Sequence, residues 1–142
     1  MSLVVDTAPL VVLGTPDHPQ RAAVTALLQA EPGDLVITGQ VTAEVDYLLS
    51  ERVGTAARRR FLDDLVAGRF TFFCLEPSDY ELARTFDRQY AGLNLGLADL
   101  SIVVAAFRTG TRRILTYDQR HFRAIRPLDG GSYVILPADG PG

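Results

Sequence analysis

Four acidic residues have types and spacing that could do chemistry: Asp6, Glu44, Asp99 and Asp118. Asp99 gives the sharpest signal. Within Leu95–Phe107 the polar side chains are Asp99 and Ser101, so a helix there is apolar nearly all round, and Asp99 shares its face with Ile102, Val103 and Ala106. An ionised carboxylate on such a face is costly unless a cation, hydrogen-bond donors or a helix N-terminus compensates it. Glu44 borders the apolar stripe of a helix over Val41–Leu49. With Val41 as origin and roughly 100° per residue, Glu44 falls near about 300°, beside Leu48, whereas Asp46 points away at about 140°. Asp6 closes one β-branched run and Asp118 follows another in Thr116-Tyr117-Asp118. Each acid also has an ordinary structural alternative. Glu44 suits a boundary residue whose stem packs, Asp99 a first-turn acid facing the helix dipole, and Asp118 a turn residue. Asp6 suits an N-cap, although Pro9 would then sit at N3 with no N–H to offer, leaving that of Ala8.

The elements that must position these acids read as an α/β chain. Short β-branched runs at Leu3–Asp6, Leu35–Thr38, Phe70–Leu75, Arg113–Thr116 and Tyr133–Leu136 alternate with segments of helical period, which predicts a mostly parallel sheet covered by helices. Ser78 with Glu81 three residues on predicts a capping box opening a helix along Leu82, Phe86 and Tyr90. Pro19 and Gly33 bracket another helix, and Gly54–Ala67 a further one. One continuous domain over 1–137 is expected, with a frayed tail over 138–142. In an open parallel sheet the strands' carboxyl ends share one side, where ligands bind at the point of strand-order reversal. Asp6 and Asp118 end strands, and Glu44 and Asp99 lie in or near the first turns of helices that start on that side. Carboxylates so gathered repel one another unless a cation holds them ionised. Oxygen-only ligands suit Mg²⁺ or Mn²⁺, and the matching chemistry is phosphodiester hydrolysis by metal-activated water.

Composition removes several competitors. All 14 basic residues are Arg, so a Walker phosphate loop, a Schiff-base enzyme and a receiver domain, each of which needs a lysine, are excluded. Cys74 is the single cysteine, and His18 and His121 supply no zinc spacing beside it, which fits a reducing, cytoplasmic setting. No apolar run reaches the roughly 20 residues of a membrane span, and no leader peptide is expected. The formal charge of −3 argues against non-specific coating of nucleic acid, yet setting the four acids aside moves it to +1, so a nuclease is not excluded.

These motifs in this order resemble the PIN-domain ribonucleases, and among them the VapC toxins of toxin–antitoxin pairs. The likeness is carried by Val5-Asp6-Thr7, by Thr42-Ala43-Glu44-Val45-Asp46-Tyr47-Leu48-Leu49, by Leu95-Gly96-Leu97-Ala98-Asp99, and by Ile114-Leu115-Thr116-Tyr117-Asp118 with His121-Phe122. It implies a three-layer α/β/α fold around a five-stranded sheet. Asp6, Glu44, Asp99 and Asp118 match the acidic quartet, Thr7 and Thr116 match supporting hydroxyls, and Ser101 matches more loosely. The resemblance further implies Mg²⁺ dependence with Mn²⁺ as substitute, an RNA substrate cut to leave 5′-phosphates, a homodimer that can enter a larger assembly, and a VapB-like antitoxin. In this reading Asp6, Asp99 and Asp118 hold the ion, while Glu44 holds a second ion or orients the attacking water. Pro9, Asn94 and Leu100 depart from the family's usual residues at the helix starts.

Arg112, Arg113, Arg120, Arg123 and Arg126 flank the Asp118 segment as candidate phosphate contacts, against the alternative of a solvated surface with salt bridges. Taken singly, His121 reads as a packed or capping histidine and Cys74 as core. Three rivals stay in view. A metal-independent ribonuclease needs two convergent histidines, and His18 has no evident partner. An aspartyl phosphatase needs a second Asp where Ala8 stands, and a lysine. A PIN-like module that only binds RNA or protein is the third.

Overall fold

The side chains of Leu3, Val4 and Val5, which make strand β1 (Leu3–Val5), are all fully buried. Successive strand residues point to opposite faces, so both faces of β1 must be covered and the domain has three layers, helix on sheet on helix. This is a computed structural model, and it describes residues 1–140. After β1 come α1 (Thr7–Leu13), α2 (Arg21–Ala30), β2 (Leu35–Thr38), α3 (Gly39–Arg52), α4 (Thr55–Val66), β3 (Thr71–Phe73), α5 (Pro77–Gln89), α6 (Leu97–Thr109), β4 (Arg113–Leu115), α7 (Gln119–Ala124) and β5 (Val134–Leu136). Among the described residues no helix is long and apolar enough to cross a membrane.

The sheet runs β3-β2-β1-β4-β5 and every neighbouring pair is parallel, where the sequence had predicted a mostly parallel sheet. Val4 is registered between Val36 and Ile114. The chain therefore builds outward from β1 through β2 to β3, then returns to add β4 and β5 on the other flank. This places the reversal of strand order between β1 and β4, with Asp6 and Asp118 immediately beyond their ends. Helix α6 lies against β1 and β2, and α3 packs on both β2 and α6. The all-round apolar character of α6 is matched by burial of Leu100 through Ala106 without interruption.

Local chemistry explains the helix boundaries. Helix α5 starts at Pro77, so the capping box uses Glu76 and Asp79 rather than Ser78 and Glu81 as the sequence had suggested. Proline's fixed φ suits the first helical position, and the Asp79 carboxylate accepts the Glu76 N–H at 2.9 Å. Asp79 also accepts from Arg108 Nε at 2.8 Å, tying α5 to α6. Before α6, Asn94 adopts φ 50°, a left-handed conformation that asparagine tolerates and proline cannot reach. The departure at Asn94 noted from the sequence thus follows from the backbone path. Gly110, at φ 71°, closes α6 in the left-handed cap typical of glycine.

Residues 138–140 of the expected tail form a turn, in which Asp139 accepts the Ile135 N–H at 2.7 Å and pairs with Arg123. Positions 141 and 142 lie outside the described residues. On the amino-terminal side of the sheet, Arg113 clamps Glu31 through two hydrogen bonds of 2.7 Å each. The guanidinium holds the Glu31 carboxyl below its ordinary range. Replacing Arg113 by Ala leaves an enclosed carboxylate without its partner, and is expected to cost about 2 kcal/mol in urea denaturation. The chemistry of the four acids should be unchanged, because this pair sits at the opposite end of the strands.

Candidate active site

The four acids reach one cleft of about 570 Å³ from four different elements. Asp6 caps α1: its Oδ1 accepts the Thr7 N–H at 2.7 Å, one residue earlier than the Ala8 bond considered from sequence. Its Oδ2 accepts the Thr116 hydroxyl at 2.6 Å. The same Thr116 oxygen accepts the Asp118 N–H at 2.9 Å, so one side chain fixes the two acids on either side of the strand-order reversal. Asp118 caps α7 through a 3.0 Å bond from the His121 N–H. Its Oδ2 lies 2.9 Å from His121 Nδ1, which in turn lies 3.6 Å from Asp99 Oδ2. Asp99 stands in the first turn of α6, and Glu44 projects from α3 with its carboxylate exposed to the cleft.

A hydroxyl strut sets α3 against α6. Thr38, at the end of β2, caps α3 by accepting the Val41 N–H at 3.2 Å, and its oxygen lies 2.7 Å from Ser101 Oγ. Ser101 also donates to the Ala98 carbonyl at 2.6 Å and is fully buried. Its hydroxyl thus positions the helix that bears Glu44 relative to the one that bears Asp99, and it does not join the carboxylates.

Among the described residues no arginine makes a salt bridge to Asp6, Glu44, Asp99 or Asp118. Burial pushes the Asp6 carboxyl above its usual range, the Thr116 and Thr7 hydrogen bonds oppose this, and the charges of Glu44 and Asp118 add to it. Asp99 is raised to about 6, first by burial and then by the neighbouring carboxylates of Asp6 and Asp118. Asp79 is the contrast: it is as enclosed as Asp6, but its hydrogen bonds from Glu76 and Arg108 hold it below the carboxylate range. Buried acid alone does not distinguish the site; buried acid without a cation does. A divalent ion fits what is left open, since the donors are mainly carboxylate oxygens. The hydroxyl of Thr7, only 4% exposed and lining the same cleft, has no hydrogen-bond partner among the described residues.

The arginines divide. Arg112 precedes β4 and Arg113 opens it, so both lie on the side of the sheet away from the acids, paired with Asp129 and Glu31. Arg123 is paired with Asp139. Arg120 is exposed on α7 next to Asp118 and makes no salt bridge among the described residues. His121 was missed as a site residue because a lone histidine reads as packing; its place three residues after Asp118, one helical turn on, was the available signal. Arg52 and His18 also line the cleft, together with Val11, Val12 and Leu48.

Known proteins resemble this chain along most of its length. The PIN domain model matches residues 3–127. The chain is 35% identical over 135 residues to Ribonuclease VapC26 of Mycobacterium tuberculosis, an alignment covering 95% of this chain and 100% of the relative. Among solved structures it is similar to VapC20 of M. tuberculosis, described as a sarcin-ricin loop cleaving toxin, with TM-score 0.72 and 16% identity over 79% of this chain and 86% of the other. It is also similar to a chain of VapBC2 from Rickettsia felis, solved bound to a DNA fragment from its promoter, with TM-score 0.69 and 22% identity over 96% and 99% of the two chains.

The electrostatics yield a signed prediction for the metal-free protein. Asp99 binds its proton more tightly in the folded state, at about 6, than at its ordinary 3.8, so folding stability falls as pH rises through that window. In EDTA at pH 8 Asp99→Asn should therefore be more stable than the unsubstituted chain by on the order of 2 kcal/mol, an advantage that shrinks towards zero at pH 4. Urea denaturation at the two pH values reads this directly, and a less stable variant at pH 8 would contradict it.

Proposed function

The chain belongs to the PIN-domain family, in its VapC group, and on that premise we propose that it is a divalent-metal-dependent endoribonuclease serving as the toxin of a toxin–antitoxin pair. The observation that carries this reading is the convergence of Asp6, Glu44, Asp99 and Asp118 on one cleft with no arginine paired to them among the described residues. The proposed ion is Mg²⁺ or Mn²⁺. When bound it supplies Lewis acidity that activates water and offsets charge on the leaving oxygen.

The chain's own residues do the rest. Asp6, Asp99 and Asp118 hold the ion, and Thr116 keeps the Asp6 carboxylate in one orientation through its 2.6 Å bond. Glu44, unburdened by hydrogen bonds to its neighbours, orients the attacking water. Arg120, exposed beside Asp118, takes up phosphate charge on the rim, and Arg52 and His18 meet nucleotides that extend along the cleft. Attack by water needs no RNA 2′-hydroxyl, so the products carry 5′-phosphates. The uncompensated acids also suit inhibition by an antitoxin that brings an Arg or Lys to the cleft. A cytoplasmic homodimer, able to join a larger complex with that antitoxin, completes the reading.

Two measurements test it. Purified chain freed of antitoxin is incubated with total cellular RNA in Mg²⁺, Mn²⁺ or EDTA beside Asp99→Asn, and the product ends are mapped. Metal-dependent cleavage with 5′-phosphate ends, lost in the variant, is expected; cleavage persisting in EDTA would return attention to the histidines, and a total lack of cleavage would favour a binding module. Glu44→Gln should lower the rate about 100-fold or more. Its folding stability should stay within roughly 0.5 kcal/mol of the unsubstituted chain, because Glu44 is exposed and makes no structural bond.

A further inference from the structure

We propose that His121 is a direct ligand of the ion in this cleft, forming with Asp99 and Asp118 a mixed nitrogen and oxygen set that favours Mn²⁺ over Mg²⁺. The inference rests on the metal-dependent reading above and adds to it the identity of the preferred ion.

Three observations support it. One ligand atom from each of Asp99, Asp118 and His121 lies within 4.8 Å of the other two. An ion with bonds near 2.1 Å holds adjacent octahedral ligands about 3.0 Å apart and opposite ones about 4.2 Å apart. The separations from His121 Nδ1, 2.9 Å to Asp118 and 3.6 Å to Asp99, bracket the adjacent spacing. Independently, the buried Thr7 hydroxyl lines the same cleft with its hydrogen-bonding capacity unused.

The chemistry then separates the two ions. A neutral imidazole whose proton sits on Nε2 offers Nδ1 as a lone pair. Mg²⁺ takes oxygen ligands and gives up water reluctantly, so it gains little from that nitrogen. First-row transition ions accept imidazole readily. The competing geometry is an Nδ1–H donated to Asp118, in which His121 only orients a carboxylate and acts equally on any ion.

The full-length chain decides between them. Bound Mn²⁺ is observed by pulsed electron paramagnetic resonance, and Mn²⁺ and Mg²⁺ affinities are compared, the second by competition, for the unsubstituted chain, His121→Ala and Asp99→Asn. The expected result is a ¹⁴N modulation on Mn²⁺ that disappears in His121→Ala, with a loss of affinity roughly tenfold greater for Mn²⁺ than for Mg²⁺. Mn²⁺ bound without nitrogen modulation, or equal losses for both ions, overturns the inference and leaves the metal-dependent reading standing. No Mn²⁺ binding, or binding indifferent to Asp99→Asn, overturns both. The modulation is read on the unsubstituted chain, so the test survives even if the alanine variant folds poorly.

Discussion

Concentrated negative charge, with no arginine paired to it among the described residues, is the constraint around which this domain is arranged. Three of the acids are partly or largely removed from water, and burial and mutual repulsion both push Asp6 and Asp99 towards the protonated form. In a medium of low effective dielectric such a cluster would spread apart if its backbone allowed it. The backbone does not allow it. Two acids are fixed at strand ends on either side of the strand-order reversal, and a third projects from α6, which is buried without interruption from Leu100 to Ala106.

The restraint is delivered by small hydroxyl residues. Thr116 donates to Asp6 and accepts from the backbone of Asp118, joining the ends of β1 and β4. Thr38 and Ser101 do the same for the starts of α3 and α6. Each hydroxyl both donates and accepts, and being fixed on the backbone of a buried element it costs little further entropy to hold. Stability elsewhere comes from ordinary sources: the apolar centre around β1 and α6, and paired charges such as Arg113 with Glu31 and Arg108 with Asp79.

Much of this was legible in the sequence. Strand and helix periods located the elements, and the burial of α6 followed from its nearly unbroken apolar run. The convergence of the quartet followed from the rule that parallel strands present their carboxyl ends on one side. What was not legible depended on direction in space. Ser101 follows Asp99 by two residues, a turn of about 200° around the helix, so its hydroxyl faces β2 and the carboxylate faces the cleft. Arg113 is near Asp118 in sequence, yet it opens a strand that Asp118 follows, and the strand's length separates them. His121 could not be weighed alone, because its significance lies in two carboxylates, one of which comes from a helix 22 positions earlier.

The acids differ in how much else they do. Asp6 and Asp118 each begin a helix as well as facing the cleft, so the fold itself disfavours their replacement. Glu44 caps nothing and bonds to none of its described neighbours. In a gene copy that drifts after catalysis has ceased to matter, the two capping aspartates would persist on structural grounds while the glutamate became free to change. Among descendants of this fold, an intact glutamate on α3 is therefore a better record of continued selection for activity than the aspartates that first draw the eye.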